Sequence, residues 1–278
     1  MLTVIDLACA QKKPSPPVGT VSLVYDISAQ QNLYANNADR VISIASMTKL
    51  FTALTVLGAE QNLSEQILVG RSGVSSPRIR TGMRITRLDL LSLTMVSSDN
   101  LAAKTLLEHY PGGYQAGLAA MNQMAQRLGA INTILVEPTG IMAANVSTAQ
   151  DLMIVARAAA LNPLFKILAN QKQTEISVER TRRMRQIIEW VVGRSTNPFL
   201  ADVTDFDMLV AKTGFTRAAG FCLVMVVEYD NRRYVLITAG HATKQSRKNA
   251  ADELIKLITS GQYRFKISDT EDQENKDK

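Results

Sequence analysis

The sequence predicts a mixed α+β fold: one antiparallel sheet closed by strands from both ends of the chain, with a mainly helical lobe inserted between them. Three observations carry this. Alternating, β-branched segments lie near residues 18–36 and again at 203–240, the stretch 86–161 reads as helix almost throughout, and no internal repeat divides the chain. Strands at the two ends must pair with each other to bury their apolar faces, and the helices between them then form a second layer. With 278 residues, 46% of them hydrophobic, the chain can build a substantial core.

VGTVSLVYDI (18–27) puts Val21, Leu23 and Tyr25 on one face, and turn-prone SAQQ followed by NLYA completes an opening hairpin. From Ser46 to about Gln61, SMTKLFTALTVLGAEQ repeats Leu50, Leu54 and Leu57 at helical spacing behind a serine in cap position. The central helices are TRLDLLSLTMVSS, DNLAAKTLLEHY, YQAGLAAMNQMAQRLGA and TAQDLMIVARAAAL, separated by breaks such as PGG and EPTG. ERTRRMRQIIEW (179–190) reads as a basic amphipathic helix, its charges a solvated face by default and a substrate contact as the weaker alternative. DMLVAKTG, GFCLVMVVEY and RRYVLITAG read as antiparallel strands, the last two joined by a tight turn at Asp230-Asn231. An amphipathic helix follows at roughly 243–260. The expected organisation is an N-terminal segment at 1–17, one domain at 18–262 with its helical lobe at about 65–165, and a tail at 263–278 too charged to pack.

Composition removes several function classes. The longest apolar runs, such as FCLVMVV (221–227), fall far short of the roughly 20 residues that cross a bilayer, so no transmembrane segment is expected. The net charge of +6 is dispersed apart from ERTRRMR (179–185). Nucleic acid is therefore not the expected partner, whereas an anionic polymer or surface such as a cell envelope is met favourably. Two cysteines, Cys9 and Cys222, make neither a disulfide framework nor a thiolate zinc site. His109 and His241 have no metal-ligand spacing, so no metal or other cofactor is expected, and the base of any hydrolase here is not expected to be histidine. MLTVIDLACA closes on Ala8-Cys9-Ala10 before QKKPSPP. It reads either as the tail of a secretory signal, with Asp6 out of place, or as a loosely packed N-terminus.

Ser46 and Lys49, in SIASMTKLF, are one helical turn apart and face the same way. Alone, the pair is equally a helix start with a lysine on its wet side. Two further elements shift the balance: Ser98-Asp99-Asn100 at a helix–helix junction, and Lys212-Thr213-Gly214 at the end of a strand. Each has an ordinary reading, since Ser98 or Asp99 is a good N-cap and KTG a plain strand edge. Chance seldom assembles all three in this order. Together they are the signature shared by penicillin-binding proteins and class A β-lactamases.

On these motifs the sequence resembles the low-molecular-mass penicillin-binding proteins, and within them the periplasmic D-alanyl-D-alanine endopeptidases. The resemblance extends to SSDNLAAKTLLEHYPGGY, VEPTGI, NVSTAQDL and KTGFTRAAGFCLVM, and so covers roughly residues 18 to 260. It implies a β-lactamase/DD-peptidase-like fold, with the site in a groove between the sheet and the helical lobe. It also implies a serine DD-peptidase that forms an acyl-enzyme on Ser46 and is exported to the periplasm or cell envelope. Peptidoglycan stem peptides would be its substrates and β-lactam antibiotics its covalent inhibitors. Endopeptidase action on cross-links is preferred to carboxypeptidase action only because the resemblance points there.

The chemistry of these residues can be read directly. At a helix N-terminus the dipole favours negative charge on the attacking Ser46 oxygen, and a desolvated Lys49 among other cations can act as base. Ser98 can relay the proton toward the leaving amine, and Asn100 can hold a substrate amide. Lys212 keeps Lys49 neutral and attracts a peptide carboxylate, to which Thr213 offers a hydroxyl. Gly214 lets the substrate backbone lie against its strand. The oxyanion falls to backbone N–H groups of Ser46 and, by resemblance, Phe215. Two alternatives stand beside this reading. A class A-like β-lactamase would need a Glu-x-x-Leu-Asn loop, and ILVEPTGIMAAN supplies only Glu137, which is expected instead to pack or cap a turn. An inactive envelope-binding module would keep the fold but has no reason to retain every motif residue.

Overall fold

The computed structural model describes residues 19–182, 185–202 and 204–260. The segment 1–17, Cys9 and the tail 263–278 lie outside the described residues.

The chain opens with β1 (Val21–Asp26) and β2 (Gln31–Asn36), then β3 (Ile42–Ser43), a 3-10 turn at Ala45–Met47 and α1 (Thr48–Gly58). β4 (Gln66–Leu68) and β5 (Met83–Thr86) lead into α2 (Arg87–Val96), α3 (Asn100–Glu108) and α4 (Gly113–Leu128). After β6 (Val146–Ser147) come α5 (Ala149–Ala160), α6 (Pro163–Ala169), β7 (Gln173–Arg182) and β8 (Arg185–Arg194). The last strands are β9 (Asp207–Thr216), β10 (Gly220–Tyr229) and β11 (Arg232–His241), and α7 (Lys244–Thr259) closes the described chain.

The main sheet has the order β2-β1-β11-β10-β9, antiparallel throughout. The N-terminal strand β1 therefore pairs with β11, Leu23 opposite Ile237, as strands from opposite ends of the chain must if both are to be covered. Both faces are buried, which explains why FCLVMVV is a continuous apolar run rather than an alternating one. Val21, Leu23, Cys222, Val224, Val226, Val235 and Ile237 join one core with α1 and α5 residues. Val24, Leu223, Met225, Val227 and Leu236 join a second with Ala251, Leu254 and Ile258 of α7.

Caps set the starts of the helices that position the site. Thr86 accepts from Asp89 N for α2, Asp99 accepts from Leu101 N and Ala102 N for α3, and Thr148 accepts from Asp151 N for α5. α6 begins with Pro163 behind the Asn162 cap.

Two expectations are corrected. ERTRRMRQIIEW is not a helix: it contributes to β7 and β8, which belong to a second sheet of order β4-β5-β7-β8. Burial there follows period two, with Ile176, Val178 and Val191 inward and Ile188, Trp190 and Val192 outward, and pairing with β5 through Met83 opposite Arg180 gives the hairpin its partner. Ser46 is not a cap either. It lies within the 3-10 turn, one residue before Met47, the N-cap of α1, and no side chain caps that helix. The stretch expected as a helical lobe at about 65–165 also contains the strands β4, β5 and β6.

Candidate active site

Ser46 stands where the 3-10 turn hands over to α1, behind Ala45 in left-handed conformation (φ 45°). Its turn is gripped from three sides. β3 pairs with β6, Ile44 N donates to Asn145 O at 3.0 Å, and Gly140 approaches so closely that a Cβ there would lie 1.8 Å from the carbonyl oxygen of Ala45. Gly214 makes the same allowance from β9, where a Cβ would come 3.1 Å from Ser46 N. Its lack of a side chain thus lets β9 abut the serine turn, a closer reason than room for substrate.

Lys49, one turn into the interior, is fully buried. Its Nζ has three neighbours: Ser46 Oγ at 2.9 Å, Asn100 Oδ1 at 2.7 Å and the carbonyl oxygen of Thr139 at 2.6 Å. Thr139 O and Asn100 Oδ1 can only accept. A neutral amine has two protons for these two and one lone pair for the third neighbour, the Ser46 hydroxyl. Burial pulls the Lys49 pKa down to about 7, against the opposing pull of Glu137 and Asp99. The environment therefore poises this amine to take a proton from the hydroxyl 2.9 Å away.

Ser98 sits at the α2–α3 junction with φ 58°, a conformation uncommon for serine, and its Oγ accepts from Lys212 Nζ at 2.9 Å. Lys212 also donates to its neighbour's carbonyl, Thr213 O, at 3.0 Å. Burial holds its pKa well below the ordinary lysine value, and the charges of Lys49 and Arg247 press the same way. Asp99 is not itself in the cleft. It caps α3, accepts from Ser76 Oγ and lies 3.5 Å from Arg78, holding Ser98 and Asn100 on either side of it. Thr213 Oγ1 donates to Thr196 Oγ1 at 2.7 Å, and the half-exposed Phe215 ring stacks on Phe221 with centroids 4.1 Å apart.

The expected residues thus converge. Ser46, Lys49 and Asn100 form one hydrogen-bonded group, Lys212 joins Ser98 to Thr213, and both groups meet at a cleft of about 580 Å³ lined by Ser46, Ser98, Thr213, Gly214 and Phe215. Glu137 turns inward as a cap: its carboxylate accepts from Thr139 N, Gly140 N and Asn145 Nδ2 at 2.6 to 2.7 Å, and so shapes the turn that carries Thr139 O to Lys49. Sequence reasoning missed Thr139, Gly140, Thr196 and Arg247. Arg247 is 6% exposed, lines the cleft and leaves its Nε without a partner. The signal available for it was a basic cluster, KQSRK, at a helix start. His241 bonds Thr238, His109 bonds Thr105, and the Cys222 thiol is pushed up to about 12 by burial, so none belongs to the hydrogen-bonded groups above. No cluster of three potential metal ligands occurs among the described residues.

A family model described as D-alanyl-D-alanine carboxypeptidase matches residues 12–243. A D-alanyl-D-alanine endopeptidase of Escherichia coli (strain K12) is 36% identical over 261 residues, which is 91% of this chain and 82% of that protein. One of the same description from Pseudomonas aeruginosa is 36% identical over 87% of this chain and 77% of its own length. Among solved structures, penicillin-binding protein D2 of Listeria monocytogenes in its ampicillin-bound form aligns with a TM-score of 0.72 at 26% identity, over 85% of this chain and 95% of that one. The Streptomyces K15 DD-transpeptidase shares the fold with a TM-score of 0.79 at 23% identity, over 87% and 98% of the two chains.

Proposed function

Because this chain belongs to the D-alanyl-D-alanine carboxypeptidase family and is a low-molecular-mass penicillin-binding protein of the DD-peptidase type, we propose that it cleaves D-alanyl amide bonds of peptidoglycan stem peptides with Ser46 as nucleophile. Cross-links are the preferred substrate, since both relatives at 36% identity are named endopeptidases, as is a further one at 26%, while those named carboxypeptidases stand at 25 to 28%. The observation that carries the reading is the triple contact of the buried Lys49 amine, two carbonyl-type acceptors and the Ser46 hydroxyl.

In this reading neutral Lys49 takes the Ser46 proton as Oγ attacks the carbonyl carbon of D-alanine. The oxyanion is held by the N–H groups of Ser46 and Phe215, each donor worth roughly a hundred- to a thousandfold in rate. Ser98, positioned by Lys212, relays that proton from Lys49 to the departing amine, which leaves an acyl ester on Ser46 and Lys49 neutral again. Lys212, Thr213 and Arg247 hold the carboxylate of the departing residue, and Asn100, whose Oδ1 accepts from Lys49, offers its Nδ2 to a substrate amide. Water then attacks the ester, with Lys49 again as base. β-Lactams acylate the same serine, and the protein acts in the cell envelope after export. Among the described residues no single helix is long and apolar enough to cross a membrane.

Incubation with a fluorescent penicillin followed by peptide mapping tests the assignment: the label is expected on Ser46, and a label elsewhere overturns it. Acylation needs the unprotonated amine, so its rate should be low at pH 5, half-maximal near pH 7 and level above pH 8, because Lys49 loses its proton at about 7. A rate that is flat over that range would remove Lys49 as the base.

The lactamase alternative requires a carboxylate free to activate water, and Glu137 is occupied by backbone and amide N–H groups. Glu137→Gln is therefore expected to cost about 1–3 kcal/mol of stability, because an amide NH₂ must face donors. The lifetime of the penicilloyl adduct, followed by intact mass, should change less than about threefold, far below the effect of losing a general base. Fast penicillin turnover that vanishes in this variant would favour the lactamase.

A further inference from the structure

The far wall of the cleft is the start of α7, and its charges run against the helix. Lys244, Arg247 and Lys248 occupy the first two turns, no acid lies in the first turn, and Asp252 and Glu253 come later. A helix dipole favours the opposite order. Local electrostatics that oppose the fold mark a functional demand. Lys248 is answered within the protein, by Asp202 at 3.0 Å, Asp252 at 3.1 Å and the Phe199 ring at 4.9 Å. The other two are not. Arg247 is buried and lines the cleft with Nε unpartnered, and it has no acidic partner among the described residues. Lys244, exposed at the mouth, has no acidic partner among the described residues. The same cleft is lined by the stacked pair Phe215–Phe221, of which Phe215 is 54% exposed.

Size and charge together exceed what a terminal D-alanine needs. That residue leaves as a small amine with one methyl and one carboxylate, which Lys212, Thr213 and Arg247 already meet. The amine released from a cross-link is the end of a second stem peptide, with a long aliphatic side chain and further carboxylates. We infer that Lys244 and the Phe215–Phe221 platform form a subsite for this departing peptide branch, the lysine meeting a second carboxylate and the stacked rings the aliphatic side chain. The inference rests on the DD-peptidase reading above and adds to it the determinant that favours cross-links over free pentapeptide ends.

The test compares kcat/KM on a cross-linked muropeptide dimer with kcat/KM on a pentapeptide, with penicillin labelling of Ser46 as an independent readout. Lys244→Glu is expected to lower the dimer-to-pentapeptide ratio about tenfold, since it sets like charges opposite each other. Lys244→Arg should keep most of the ratio. The Lys244→Glu effect should shrink in 0.5 M salt, because the position is exposed and screened. Phe221→Leu should lower the ratio about threefold through KM. An unchanged ratio in Lys244→Glu, or an equal loss on both substrates, overturns the subsite while labelling and cleavage by the parent uphold the peptidase. If the parent labels on Ser46 but cleaves neither substrate, the peptidase reading falls and the subsite with it.

Discussion

Lys49→Arg is expected to slow acylation of Ser46 by a penicillin by at least about a hundredfold, the lower end of what a positioned base contributes. The substitution keeps the positive charge but removes the property that matters, because a guanidinium stays protonated in proteins. Two acceptors and the Ser46 hydroxyl surround Nζ at 2.6 to 2.9 Å, which suits an amine that can shed a proton, and a guanidinium has no lone pair to offer the serine hydroxyl. The residual rate should also lose its rise near pH 7. Stopped-flow acylation across pH, with thermal unfolding to confirm that the variant is folded, checks both points. A folded variant acylated at the parent rate would sink the assignment of the base.

Gly140→Ala should be nearly as damaging, although residue 140 carries no functional group. A Cβ would meet the Ala45 carbonyl oxygen at 1.8 Å and Ser46 N at 2.8 Å, and φ is +82°. Overpacking against backbone costs about 1–3 kcal/mol and the left-handed conformation about 1–2 more, so a loss of roughly 2–5 kcal/mol is expected. Because the colliding atoms belong to the serine turn, acylation should fall by more than about a hundredfold, the scale on which small displacements of a reacting group act. Gly82→Ala separates the two terms. Gly82 has φ +87° with nothing within 4 Å of its Cβ position, so that variant should lose only the conformational part and acylate normally. Equal losses in the two variants, by urea midpoint and labelling rate, would show that the close approach at Gly140 is not what matters.

The residues legible in the sequence were those whose relation is covalent spacing. Ser46 and Lys49 are one turn apart on any helix, and Ser98 with Asn100 flanks a cap, so motif and geometry coincide there. The sheet was legible for a similar reason: FCLVMVV admits few fates other than a strand buried on both faces. Thr139 contributes a main-chain carbonyl and Gly140 an absence of side chain, and neither leaves a mark in residue chemistry that sets it apart from an ordinary turn in EPTG. Thr196 reaches Thr213 only through the fold. At 179–190 the arginines and glutamates fall at spacings that suit a helix, while Val191 and the inward residues of β7 alternate. A strand partner, β5, from nearly a hundred residues earlier decides between the two patterns. Arg247 was visible only as basic charge at the wrong end of a helix, and that misplacement is the informative part.

The pairing of β1 with β11 bears on how the molecule comes into being. Ser22 and Thr238, hydrogen-bonded across these strands, are 216 residues apart. Closing so long a loop is entropically slow, and such distant pairings lengthen folding. On an emerging chain, the hairpin of β1 and β2 exposes Val21, Leu23 and Val24 along an unpaired edge until the last strand has been made. That edge is a template for wrong pairing until β11 covers it. Lys212 and the strand that carries it are late arrivals, so the cleft in which Lys212 holds Ser98 is completed only after most of the chain has been made.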